Sequence, residues 1–286
     1  MDTIPTGPPI SPTYQHTRVK AVLSALAVPV FSLLNRPSLQ RLGEMVYDVA
    51  LRWNGFAIGF KGKHGLTHAE EAFLQRLLPT LKAGVMLDVG ANHGSYTRFL
   101  HRLRPDLPVI AFEPHPRSFT LLHQHLSTLN NVKLVNIALS DTAGVVKLYD
   151  FATADGSTQA SLSRNAVALF DGNTVEHQVD CSTLDEFATN HGLDYIAFLK
   201  IDTEGFDINV LRGAKHLLAA RRVGIIQFEF IPANIVTRVA MRDFYEALPG
   251  YRLFRLCLNG ELMPMDRYDV KRHEVYVIHN VIALPA

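Results

Sequence analysis

From Val85 onward, short apolar runs alternate with amphipathic stretches. Val85–Val89, Val109–Phe112, Val132–Ala138, Ala197–Ile201 and Gly224–Phe230 are apolar over strand length, and Gly90 and Glu113 close the first two. Between them, Tyr96–Leu103, Phe119–Leu129 and Ile208–Ala220 carry apolar residues at helical spacing. The alternation predicts an α/β fold with a doubly wound, mainly parallel sheet.

Two features depart from plain alternation. Val145–Phe151 and Thr174–Val179 read as added strands of an inserted hairpin, around a lid-like loop with Gly156, Ser157, Thr158, Gln159 and Ser161. Tyr251–Leu258 and Glu274–His279 flank a turn-rich segment with Asn259 and Gly260 and suit a C-terminal antiparallel hairpin.

Upstream, Leu39, Leu42, Val46, Val49 and Ala50, then Ala72, Leu74, Leu77, Leu78 and Leu81, predict helices. The glycine-rich stretch between them, around Trp53, Gly55, Gly59, Gly62 and Gly65, suits either a loop or a short hairpin. Trp53 and Phe56 are candidates for core packing, with stacking on a sugar ring as the alternative. The organisation expected is a flexible leader over 1–18, a mainly helical extension over 19–83 and a catalytic domain over 84–286. The apolar run Val19–Leu34 is broken by Lys20, Ser24, Pro29 and Ser32, so it lacks the ~20 unbroken apolar residues of a spanning helix. It reads as helices covering the domain or, alternatively, as a contact with a membrane surface or a lipid-like substrate.

Composition narrows the function. Lys and Arg number 28 against 27 Asp and Glu, for a net charge of +1, which argues against a nucleic-acid partner. Cys181 and Cys257 are the only cysteines, too few for a disulfide framework, and two reduced thiols fit a cytoplasmic enzyme. A homo-oligomer stays open.

The sharpest motif is Leu87-Asp88-Val89-Gly90-Ala91-Asn92-His93-Gly94, a strand running into a tight turn and a helix. Its glycines allow close backbone approach to a ligand, and the helix start offers free N–H groups to a carboxylate. Asp88 is placed to meet an ammonium, and Glu113, at the next strand end, to accept from both ribose hydroxyls of a nucleoside. Three residues separate Gly90 from Gly94, so the dinucleotide spacing G-x-G-x-x-G is absent. S-adenosylmethionine (SAM) is the expected cofactor, with an NAD-linked oxidoreductase as the disfavoured alternative.

These motifs resemble the FkbM family of methyltransferases. The matching stretches are Leu87–Asn92, Phe112-Glu113-Pro114, Asn136–Asp141, Thr183-Leu184-Asp185, Lys200–Gly205 and Phe228-Glu229, together spanning roughly Val85 to Phe230. The resemblance implies a Rossmann-like class I methyltransferase fold and O-methylation of a hydroxyl on a sugar, glycolipid or macrolide-type metabolite. By position it implies Asp88, Gly90, Asn92 and Gly94 at the methionine end, Glu113 at the ribose, and Ser140 and Asp141 near the adenine. A hydroxyl needs a base. Asp202 is the first candidate for that role, Glu204 the second, and Glu229 completes the carboxylate group. Asp202 and Glu229 are also candidate ligands for Mg²⁺. Lys200 is expected to partner a strand-end carboxylate, and His93 and His115 are secondary candidates for bases. An N- or C-methyltransferase and an inactive SAM-binding scaffold are the alternative functions.

Overall fold

Strand β1 (Val85–Val89) is buried at every position, as are β2 (Val109–Phe112) and β7 (Ile196–Ile201). These runs are apolar but for Asp88 in β1 and Lys200 in β7, and they need cover on both faces, which a parallel sheet between helices provides. The computed structural model describes residues 27–170 and 172–286. The expected leader over 1–18 and the first part of the Val19–Leu34 run lie outside the described residues.

Among the described residues the main sheet has eight strands, in the order β10 (Leu262–Pro264), β9 (Tyr251–Leu256), β11 (His279–Pro285), β8 (Val223–Phe230), β7, β1, β2 and β3 (Val132–Val135). Strands β8, β7, β1, β2 and β3 run parallel. The last strand, β11, enters antiparallel between β8 and β9, and β9 pairs with β10. The C-terminal antiparallel element is therefore present, but its last strand starts where Glu274–His279 was expected to end. Chain order reverses at β1, and the crevice beyond the carboxyl ends of the strands at such a switch point is where open α/β sheets bind ligands.

Two expected elements divide. Val132–Ala138 splits because Ala138 and Leu139 (β4) join a second, three-stranded sheet with β5 (Gly144–Phe151) and β6 (Thr174–Ser182). Ile208–Ala220 becomes α7 (Asp207–Arg212) and α8 (Lys215–Ala219). The break falls at Gly213, where a Cβ would lie 2.0 Å from the Ser140 carbonyl oxygen.

At the N-terminal side, α1 (Gln40–Trp53) has no buried residue. Trp53 is 84 % exposed, so its expected core role is not met, whereas Phe56 is buried beneath the Arg255 guanidinium at 3.8 Å. Helix α2 (His68–Leu77) packs Phe73 and Leu74 against Met86, Val109 and Phe198 of the sheet. Residues 54–66 form a loop with one isolated bridge, Lys61 to Thr67. A capping box fixes where that loop ends: Thr67 Oγ1 accepts from the Glu70 N–H and Glu70 Oε2 from the Thr67 N–H.

Candidate active site

A cavity of about 680 Å³ opens at the carboxyl ends of β1, β2, β7 and β8. Its walls include Gly90–His93, Glu113, the lid residues Ser157, Thr158 and Ser161, and the loop residues Gly59, Gly62 and Gly65. Glu70, Asp202, Glu204 and Glu229 also line it. The inserted hairpin carries the lid, as its composition suggested. The glycine-rich loop before α2 forms part of the mouth.

Each glycine of the turn is required by chain packing. A Cβ on Gly90 would lie 1.8 Å from the Asp202 carbonyl oxygen, and φ there is +84°. The turn can therefore press against the end of β7. A Cβ on Gly94, at φ +86°, would meet Leu122 and Leu126 of α4 (Pro116–Leu126). Gly94 is not among the lining residues, so its contribution is the packing of α4 beside the turn.

The other motif residues divide between the cavity and its scaffold. Asn92 lines the cavity and donates from its side chain to the Ser157 carbonyl at 3.0 Å, which ties turn to lid. Glu113 is buried. Its two oxygens accept from the backbone N–H groups of Asn92 and His115, each at 2.8 Å. Burial pushes its carboxyl up to about 7, against those two hydrogen bonds. Asn136 donates to the Glu113 carbonyl at 2.7 Å and fixes the end of β2. Asp88 lies below the turn, buried, taking the Thr97 hydroxyl at 2.5 Å; burial raises it to about 6. Ser140 and Asp141 bond to each other outside the cavity wall, where Ile137, Ala138 and Leu139 stand instead. Thr183 caps α6 (Leu184–Asn190), and Asp185 accepts from the N–H groups of His216 and Leu217 at the start of α8.

At the far end of the cavity the acids gather around a buried lysine. Lys200 Nζ lies 3.1 Å from Asp202 Oδ2 and 5.5 Å from the centre of the Tyr96 ring. Burial opposes its charge, but Asp202, Glu229, Glu70 and Asp207 outweigh burial and hold the ammonium above its ordinary value. Glu204 is pushed up to about 8 by burial and by Asp202 and Asp207, against Lys200. Burial and the Asp202 charge raise Glu229 well above its ordinary value. Glu204 also holds a left-handed φ of +52° while its carbonyl accepts from Ser161 Oγ at 2.9 Å. Such non-glycine conformations persist only where the surroundings enforce them.

The Mg²⁺ expectation is not supported. The Lys200 ammonium already sits on Asp202, and the Glu229 carboxylate accepts from Asn280 Nδ2 at 3.2 Å. Among the described residues, the one group of three or more donors close enough for a metal is elsewhere: His115, Asp155 and His177. There both imidazole Nε2 atoms approach Asp155 Oδ1, at 2.9 and 2.7 Å. His115 Nδ1 accepts from the N–H groups of Arg117 and Ser118 and caps α4, so its proton sits on Nε2 and points at Asp155. That tautomer makes the group a hydrogen-bond clamp on the lid. Asp150 completes it, accepting from the N–H groups of Gly156 and Ser157.

Sequence reading missed a second network. Gln227 donates to Glu70 and Asn280 at 2.9 and 2.7 Å and accepts from the Tyr96 hydroxyl at 2.7 Å. It joins α2, α3 (Ser95–Leu103), β8 and β11 behind the acids. No local motif marks these residues; the capping box at Thr67 was the one available signal, and it explains Glu70 only as a cap.

The cavity suits a cationic nucleoside. Phe112, Ile137, Ala138, Leu139 and Leu148 give an apolar wall beside the Glu113 carboxylate. His93 Nε2, on the wall, is buried without a hydrogen-bond partner. Five carboxyl groups line the cavity against Lys61, the sole lysine or arginine among the described lining residues. Burial holds Glu113, Glu204 and Glu229 above their ordinary values, and an entering sulfonium or ammonium favours their ionised forms, whereas a diphosphate does not.

The chain is similar to several known proteins. The model of the methyltransferase FkbM domain matches residues 88–252. The 2-O-methyltransferase NoeI of Sinorhizobium fredii is 27 % identical over 184 residues, covering 59 % of this chain and 72 % of that protein. The 31-O-demethyl-FK506 methyltransferase FkbM of Streptomyces tacrolimicus is 28 % identical over 170 residues, covering 51 % of this chain and 65 % of that one, just under two thirds of its length. Among solved structures, the O-methyltransferase from Bacillus cereus in complex with SAH aligns with a TM-score of 0.39 at 14 % identity, over 91 % of this chain and 97 % of that one.

Proposed function

This chain belongs to the FkbM methyltransferase family and is a SAM-dependent methyltransferase, and from that premise we propose that it methylates a hydroxyl oxygen of a small-molecule or glycan acceptor. The observation that carries the reading is Glu204, on the cavity wall beside Asp202, with its carboxyl pushed up to about 8 by burial and by the neighbouring acids. A hydroxyl must lose its proton as its oxygen is alkylated, and a base tuned near the working pH serves that need best. An amine acceptor that is already neutral makes less demand on such a group.

SAM, when bound, supplies a methyl group already activated on a sulfonium. The chain's residues do the rest. Glu113 and the 90–93 turn hold the nucleoside, and the apolar wall at Ile137–Leu139 takes its base. Asp202, fixed by Lys200, accepts a hydrogen bond from the acceptor and orients it. Glu204 takes the proton. The two relatives named as acting on oxygen support the same reading.

The test is transfer of a labelled methyl group from SAM to paired acceptors: glycan and polyol hydroxyl compounds, their deoxy analogues and their amino analogues. Label on oxygen, absent from the deoxy partner, is expected. In wild type the kcat/KM should rise with pH through about 8, and Glu204→Gln should lose that rise together with at least a hundredfold of rate. Label on nitrogen or carbon alone would overturn the reading. So would a SAM-binding protein inert towards every acceptor, which is the scaffold outcome.

A further inference from the structure

We infer that residues 27–53 form an arm that docks this protein on an anionic lipid surface. The arm is the largest exposed apolar feature among the described residues. Residues 27–34 are helical and almost wholly apolar, with Ser32 the one polar side chain, and Phe31 is 63 % exposed. Helix α1 follows. Leu42, Met45, Val46, Val49 and Trp53 recur on one face at steps of three and four, while Arg41, Glu44, Asp48 and Arg52 take the other. Every one of those apolar side chains is exposed. Contiguous apolar surface of this extent marks a docking site.

The pattern of the arm distinguishes between occupants. A second protein copy covers one side of a helix, which α1 alone would satisfy. The 27–34 segment is apolar around its circumference apart from Ser32; such a helix is covered by a protein core or by hydrocarbon, and with residues 28–34 exposed no core of this chain's described residues covers it. No helix among the described residues is long and apolar enough to cross a membrane, so the arm lies in the interface. Trp53, amphipathic and at the end of α1, is the residue type that anchors at such a boundary.

Charge points the same way. A groove of about 850 Å³ separates α1, at Tyr47, Ala50 and Leu51, from the C-terminal segment that carries Arg267, Lys271 and Arg272. Two acids share that wall and both are already paired, Asp266 with Arg252 at 2.8 Å and Asp269 with Arg272 at 3.8 Å. Arg255 also lines the groove, only 5 % exposed, with no carboxylate in its hydrogen bonds. It donates to the carbonyls of Asn54 and Arg272, and its Nε has no partner. A buried guanidinium without a counterion leaves this wall positive, in a chain whose net charge is only +1. On the arm, Arg36, Arg41 and Arg52 outnumber Glu44 and Asp48 by one. Anionic headgroups complement such a surface. Along the chain, α1 leads directly into the loop at the mouth of the catalytic cavity, so docking brings that mouth to the lipid surface.

Vesicle flotation of the full chain tests the inference without using methyl transfer. Phosphatidylcholine vesicles are compared with vesicles in which phosphatidylglycerol replaces part of the phosphatidylcholine. Wild type is expected to float with the anionic vesicles at least tenfold more than with the neutral ones. The exposed triple substitution Phe31→Ser, Val46→Ser, Trp53→Ser should abolish flotation, and Lys271→Glu with Arg272→Glu should erase the anionic preference. Calorimetric SAM binding equal to wild type confirms that each variant is folded. Failure to float with either vesicle overturns the proposal, as does flotation indifferent to both sets of substitutions. A wild-type dimer that the triple substitution converts to monomer overturns it too, because a second copy then covers the arm.

Discussion

Replacing Lys200 with methionine removes the buried cation around which the acids of the site are arranged. Its Nζ lies 3.1 Å from Asp202 Oδ2, and the lysine is 1 % exposed. Removing one partner of a buried pair costs about 3–5 kcal/mol. Asp202 is partly open to the cavity and can recover some hydration, which favours the lower end, about 3 kcal/mol. For a chain of this size that corresponds to a fall in Tm of about 5 °C. The pH dependence carries the sharper test. Without Lys200, Glu204 and Asp207, raised to about 8 and about 6 even with that cation beside them, lose a neighbour that holds them down, so both rise further. A carboxyl raised by folding contributes stability that is present below its unfolded value and lost as pH climbs through its folded value. The deficit of Lys200→Met relative to wild type should therefore be larger near pH 8 than near pH 5. Thermal unfolding followed by circular dichroism across that range decides it. A variant with wild-type Tm at pH 8, or with its larger deficit at pH 5, would refute the account of the acidic cluster.

Two further outcomes follow from the geometry. Gly90→Ala forces a Cβ into the Asp202 carbonyl at a left-handed φ, and should cost about 3 kcal/mol or more and abolish SAM binding; denaturant unfolding and calorimetry measure both. Asp155→Asn weakens the shared acceptor of His115 and His177 on the partly exposed lid, so global stability should fall by only about 1–2 kcal/mol. Hydrogen exchange in residues 152–162 should nonetheless quicken markedly, and unchanged protection there would dissolve the clamp.

The parallel strands were legible because each is a mainly apolar run of strand length, and Gly90, Glu113, Asp202 and Glu229 stand at or near the ends of those runs. All four line one cavity. The pairing of Lys200 with a strand-end carboxylate was also legible, because the two residues are neighbours in sequence. Less could be read where a residue's partner is distant. Gly90 and Gly94 announce a need for a missing Cβ, but sequence does not say whether ligand or chain fills the space; here the Asp202 carbonyl and two leucines do. Asp185 reads as part of a family motif, yet its work is to cap α8, about thirty residues on. His115, Asp155 and His177 meet only because β5 and β6 fold back as a hairpin beside α4. Helix α1 shows the reverse case. Its periodicity foretold a helix correctly, but periodicity cannot say whether the apolar face meets the protein's own core.

The most direct test of the central claim is calorimetric titration of the purified chain with SAM, S-adenosylhomocysteine and NAD, for wild type and Glu113→Gln. The account expects saturable binding of both adenosyl ligands and none of NAD. It also expects proton release near pH 7, as the bound cation and ribose favour the ionised form of a Glu113 carboxyl that burial holds near 7. Glu113→Gln should weaken binding at least tenfold and remove part of that release. Equal binding of NAD, or SAM binding untouched by the substitution, would contradict it.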